Sequence, residues 1–241
     1  MNGLAPDGSP SAIPIVALDV SSAAEALALA GRLGESCRYY KVGSELFTAA
    51  GPHVVSALRE EGHRVFLDLK LHDIPNTVRG AARSAARLGA SLLTVHASGG
   101  VEMMRAAVEG AGDDCGILAV TVLTSLDAAA VAGAWGREAT LSIEDEVARL
   151  AAMAAEAGTH GIVCSGLEAA RVRAAHGDRL RPLVPGIRFA AGDVHDQSRV
   201  VTPGGAVRAG ARYLVLGRAV TGADDPRGAM LRVWEEIAAV G

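Results

Sequence analysis

Aromatic side chains make up only 3% of this 241-residue sequence, so the core has to be built from Ala, Val, Leu and Ile. That argues against an aromatic-rich β-sandwich and for helices packed on parallel strands. Cysteine is nearly absent too. Cys37, Cys115 and Cys164 are odd in number, scattered and without a CxxC pair, which points away from a disulfide framework and towards a reduced cytoplasm. No uninterrupted apolar run approaches the ~18 residues of a membrane span. The opening stretch MNGLAPDGSPSAIP has neither the basic nor the apolar region of a signal peptide, and residues 1–14 are read as a loose tail. Charge of either sign is not in excess: the net value is −4 and the pI about 6.0, with no footprint for nucleic acid or an anionic membrane. No histidines have a metal-ligand spacing such as HExxH. A GxGxxG turn after the first strand, expected of a dinucleotide-binding open sheet, is replaced by Leu18-Asp19-Val20-Ser21-Ser22.

What is present is a regular alternation. Strand-like runs cover Ile15–Val20, Tyr39–Gly43, Val65–Lys70, Ser91–Ala97, Gly116–Leu123, Gly161–Ser165, Leu183–Ile187 and Tyr213–Gly217. Between them lie Ala-rich amphipathic stretches such as Ala23–Leu33, Val54–Glu61, Ile143–Ala157 and Leu167–His176. Parallel strands need a crossover at each return, so this pattern predicts one α/β domain over residues 15–241, a (β/α)8 TIM barrel.

A TIM barrel carries its chemistry at the C-terminal ends of its strands. Polar residues fall there: Asp19, Lys41, Asp68 with Lys70, His96, Thr124, Arg188 and Gly217-Arg218. The densest segment is Arg64-Val65-Phe66-Leu67-Asp68-Leu69-Lys70-Leu71-His72-Asp73-Ile74-Pro75-Asn76-Thr77. Simple alternation puts Asp68 and Lys70 on one face and Leu67, Leu69 and Leu71 on the other. Pro75 then opens a helix whose periodic part runs from Val78 to Gly89. Buried charge survives only if it is paired or used, so this segment is either a structural ion-pair cluster or a reaction centre.

The run Asp68-x-Lys70-x-x-Asp73-Ile74-Pro75-Asn76-Thr77 resembles the signature of the orotidine 5′-phosphate decarboxylase family. Ala17-Leu18-Asp19, Lys41-Val42-Gly43, Leu123-Thr124-Ser125, Pro185-Gly186-Ile187-Arg188, Gln197 and Leu216-Gly217-Arg218 extend the likeness from Ile15 to Arg218. The resemblance implies cofactor-independent and metal-free conversion of orotidine 5′-phosphate to UMP and carbon dioxide. It makes Lys70 the cation that stabilises the ring carbanion and protonates it. It sets Asp68 beside the departing carboxylate, with Lys41 and Asp73 completing an alternating charge network. It implies ribose contacts from Asp19, Lys41 and Thr77, pyrimidine contacts from Thr124 and Pro185, and a phosphate clamp of Arg188, Gln197, Gly217 and Arg218. Ile74 is carried with them as a substrate contact. It further implies a homodimer in which Asp73 and Thr77 serve the neighbouring site, and a lid over Phe189–Asp196. Two rival readings share the core motif: a magnesium-dependent sugar-phosphate decarboxylase or aldolase, and a catalytically dead nucleotide-binding barrel.

Overall fold

The computed structural model describes residues 11–138, 140–190 and 201–240. Eight strands pair in chain order and close into a parallel barrel: β1 Ile13–Ala17, β2 Tyr39–Gly43, β3 Arg64–Leu71, β4 Leu92–His96, β5 Gly116–Val120, β6 Gly161–Val163, β7 Arg181–Val184 and β8 Tyr213–Leu216. Helices follow the strands and cover the barrel, as the alternation predicts.

Several strands differ in extent from the sequence reading. β1 starts at Ile13, inside the stretch assigned to the tail, and already pairs with β8 from that residue. Pro14 is tolerated because the β1–β2 pairing begins only at Val16, so no ladder bond to that side is lost at Pro14. β5, β6 and β7 stop short of their expected C-terminal ends. The chain leaves the sheet there to build the rim: after β7, Pro185 and Gly186 turn away, and Gly186 has φ 73°, a left-handed conformation suited to glycine. Helix limits are closer to expectation where caps are strong. Ala23–Leu33 is bounded by the Ser22 side chain, which accepts from the Glu25 N–H, and by Gly34 at φ 53°.

Two apolar layers hold the fold. Val16, Val42, Leu67, Leu93 and Ala119 face outward into the helices, while Ile15, Ala17, Tyr39, Phe66, Leu92, Leu118, Leu183, Tyr213 and Val215 fill the barrel. Side chains alternate along a strand, so the residue two after an inward apolar one also faces inward. That rule carries Ala17 to Asp19, Tyr39 to Lys41, Phe66 to Asp68, and Leu92 to Thr94. The barrel interior therefore changes from apolar to polar in a single step along each of these four lines, and to charged at Asp19, Lys41 and Asp68.

The opposite, N-terminal end of the barrel is closed by a polar group of its own. An Arg181 N–H faces His160 Nδ1 at 3.2 Å, so Nδ1 must accept and Nε2 carries the hydrogen, donating to Tyr213 Oη at 2.9 Å. Burial first, then the charges of Arg181, Arg64 and Arg212, bring the His160 pKa from 6.5 down to about 4. A folded-state pKa below the unfolded value means that the unfolded chain binds the proton first as pH falls. His160 should therefore contribute full stability above about pH 6.5 and lose it progressively towards about pH 4. Urea unfolding on both sides of that window, with His160→Gln as the non-titrating control, checks this. The wild type should lose stability relative to the variant as the medium is acidified, and an unchanged difference would refute the assignment.

Candidate active site

At the C-terminal mouth the inward polar residues meet in a row of alternating charge. Asp19 Oδ1 accepts from Lys41 Nζ at 2.8 Å; Lys41 Nζ lies 3.7 Å from Asp68 Oδ2; the same oxygen accepts from Lys70 Nζ at 2.9 Å. The side chains of Lys41 and Asp68 are largely buried, at 11% and 14% exposure, so each is stable there only because it has opposite charge on both sides. Gly43 makes room for the first pair: a Cβ there would stand 2.9 Å from Lys41 Nζ.

The pairing of Asp68 with Lys70 stands, but simple alternation is not how it arises. Between β3 and β4 the register advances from Leu67↔Leu93 to Leu71↔Val95, so β3 uses two more residues than its neighbour over the same span. Lys70 absorbs the bulge with φ 49°, the one positive φ of a non-glycine among the described residues. Its N–H leaves the ladder and donates to Thr94 Oγ1 at 2.9 Å, and the same hydroxyl donates to Asp68 Oδ1 at 2.9 Å. Thr94 was not singled out from the sequence. The available signal was a lone polar residue in Leu92-Leu93-Thr94-Val95, at the parity of the inward Leu92.

These charges form one wall of a cavity of about 660 Å³. Thr124 and Ser125 come from the segment after β5, Pro185, Gly186 and Arg188 from the turn after β7, and Gly217 and Arg218 from the end of β8. Arg188 is buried, and both its burial and the charge of Arg218 hold its pKa below the ordinary guanidinium range. Both guanidiniums line the cavity, and two such charges close enough to influence one another suit a multiply charged anion. His96 ends β4 beside this wall, its ring 5.6 Å from that of His72, and burial, His72 and Lys70 lower its pKa while Asp68 raises it. The ring is accordingly biased towards the neutral form.

Nine of the expected contacts thus surround one cavity: Asp19, Lys41, Asp68, Lys70, Thr124, Pro185, Arg188, Gly217 and Arg218. Asp73, Ile74 and Thr77 do not join them. They lie exposed at the start of the helix Pro75–Arg87, with Ile74 68% accessible, and Asp73 Oδ1 accepts from the Ile74 N–H instead of reaching Lys70. Gln197 lies outside the described residues, as do residues 191–196 of the expected lid. Its first residue, Phe189, packs against the core under the guanidinium of Arg232. The 124–142 excursion contains the helix Ala128–Trp135, capped by Asp127. It is pinned where Arg137 donates to the buried Glu146 at 3.0 Å.

A closed parallel barrel with its polar residues gathered at the C-terminal mouth defines a (β/α)8-barrel enzyme. A sequence model of the orotidine 5′-phosphate decarboxylase / HUMPS family matches residues 13–233, and the chain belongs to that family. It is 53% identical over 222 residues to an orotidine 5′-phosphate decarboxylase of Anaeromyxobacter sp. (strain K), covering 91% of this chain and 96% of the relative. It is 49% identical over 216 residues to that of Cutibacterium acnes (strain DSM 16379 / KPA171202), covering 88% and 91%. The crystal structure of orotidine 5′-phosphate decarboxylase from Lactobacillus acidophilus superposes with a TM-score of 0.84 at 36% identity, over 94% of this chain and 99% of that one. No helix among the described residues is long and apolar enough to cross a membrane.

Proposed function

We propose that this chain decarboxylates orotidine 5′-phosphate to UMP and carbon dioxide in pyrimidine biosynthesis, without metal or organic cofactor, as a cytoplasmic homodimer. The observation that carries the reading is the row Asp19–Lys41–Asp68–Lys70, ending in an ammonium at the wall of a cavity that Arg188 and Arg218 also line. Cleavage leaves the C–C bonding pair on a ring carbon, in the ring plane, where it cannot delocalise. A fixed cation is needed at that carbon, together with a proton to end the anion's life. Lys70 supplies both: its ammonium faces the developing charge, then passes a proton to it as carbon dioxide departs.

Asp68 sets the other half of the contrast. A substrate carboxylate ~4 Å from it, at an effective dielectric of ~20, is repelled by about 4 kcal/mol, and this strain is released when neutral carbon dioxide leaves. Lys41 and Lys70, on either side of Asp68, balance its charge where it is buried. The ribose is assigned to Asp19, Lys41 and, from the partner, Thr77; the pyrimidine to Thr124 and Pro185; the phosphate to Arg188, Gln197, Gly217 and Arg218. Asp73, like Thr77, completes the site from the neighbouring subunit, and Ile74 is a further substrate contact.

The test is the loss of orotidine 5′-phosphate absorbance with purified protein, with and without chelator. Turnover unaffected by chelator supports the reading. Turnover abolished by chelator would transfer the site to magnesium chemistry, and no turnover in either arm would overturn the assignment. Arg218 gives a second check. Arg218→Ala should lower kcat/KM about a hundredfold or more for the nucleotide, through lost charge-assisted bonds to phosphate, and hardly at all for the bare nucleoside. Equal losses with both substrates would show that Arg218 serves the barrel and not the phosphate.

A further inference from the structure

The hydroxyl of Thr94 joins the two halves of the charge pair, one through its side chain and the other through its backbone. Thr94 is fully buried on the inward face of β4. A hydroxyl has one hydrogen to give. Here the Lys70 N–H donates to Thr94 Oγ1, so the oxygen is the acceptor in that bond, and its own hydrogen goes to Asp68 Oδ1. With Oδ1 held in this way, Oδ2 is the oxygen turned towards Lys70 and Lys41.

The backbone bond matters as much. The two extra residues of β3 deprive Lys70 of a regular strand partner, and its left-handed backbone is one that a lysine adopts only when held. Thr94 stands opposite the bulge and takes the N–H that the ladder does not. Valine has the same shape but would leave a buried N–H and a carboxylate oxygen each without this bond, and both would relax towards other partners.

We infer that Thr94 is a positioning residue for the reaction: through one hydroxyl it fixes the bulge that aims the Lys70 ammonium and the carboxylate that holds it. This rests on the decarboxylase reading for its kinetic consequences but not for its geometry. The residue need not touch substrate, so its loss should fall on kcat and spare binding.

Thr94→Val should lower kcat about tenfold to a hundredfold, the range for removing a hydrogen bond to a charged group, with affinity for UMP changed by no more than about threefold. Thr94→Ser, which keeps the hydroxyl, should recover most of the loss. In an Asp68→Asn background, Thr94→Val should cost less than in wild type, because the hydroxyl no longer holds a charged group, while the Lys70 N–H still loses its acceptor. The Lys70 amide supplies an arm independent of turnover: its hydrogen exchange should be at least about tenfold faster in Thr94→Val and return towards wild type in Thr94→Ser. If Thr94→Val does not fold, Thr94→Ala removes the same hydroxyl without placing a methyl against the charges, and is read in the same way. Unchanged kcat with only a lower melting temperature, no rescue by serine, full additivity with Asp68→Asn, or unaltered Lys70 exchange would each overturn the inference. A wild type that exchanges as described but does not decarboxylate would overturn the proposed function and leave the positioning geometry standing.

Discussion

Lys70→Ala should abolish turnover while retaining substantial affinity for UMP. In the proposed mechanism the lysine acts on charge that exists mainly in the transition state, so its removal costs kcat and not product binding. General acid catalysis contributes about 10²–10⁴ and a preorganised charge about 10²–10³, so a loss of at least about 10⁴-fold is expected. The variant should remain folded. Asp68 keeps Lys41 at 3.7 Å and the Thr94 hydroxyl at 2.9 Å, so no carboxylate is left buried alone. Single-turnover kinetics paired with UMP titration check both halves. Residual activity within about tenfold of wild type would end the assignment of Lys70 as proton donor and carbanion stabiliser.

Restored activity on mixing two dead proteins is the second expected result. Asp73 and Thr77 lie exposed and away from the cavity of their own chain, at the start of the helix Pro75–Arg87. If they serve a neighbour's site, a dimer of one Lys70→Ala chain and one Asp73→Asn chain has one site with both lesions and one with neither. Random exchange makes about half of the dimers mixed, so roughly a quarter of all sites should be intact. Activity assayed after exchange, with the mixing confirmed by mass-tagged subunits, measures that fraction. If Asp73 instead swings into its own site, every site keeps a lesion and mixing restores nothing.

The parts of the site that could be read in the sequence are those that obey strand parity. Asp19, Lys41 and Asp68 each stand two residues after an inward apolar residue and at or near the end of a strand, so pattern alone carries them to the mouth. Arg188 and Arg218 follow from strand order, since successive strands become neighbours in a closed barrel. Three features were hidden for physical reasons. The β3 bulge bears no glycine or asparagine to announce a left-handed residue, so Lys70 looked like an ordinary strand position. Thr94 works through two hydrogen bonds whose partners lie 24 and 26 residues away in the chain, which no local period encodes. The early ends of β5, β6 and β7 are set by where the rim leaves the sheet, and apolar residues beyond them, such as Val122 and Ile187, stay buried and so imitate strand.

At position 70 the needs of the fold and of the chemistry pull apart. A left-handed residue near the end of a strand is one that glycine or asparagine would occupy more comfortably, by about 1 kcal/mol or more. The enzyme keeps a long cationic side chain there nonetheless. With Lys70 in the proposed role, selection for turnover and selection for stability oppose each other at a single codon. A duplicated copy of this gene, once released from the reaction, would be expected to drift at residue 70 early, because that substitution ends function and eases the backbone in the same step.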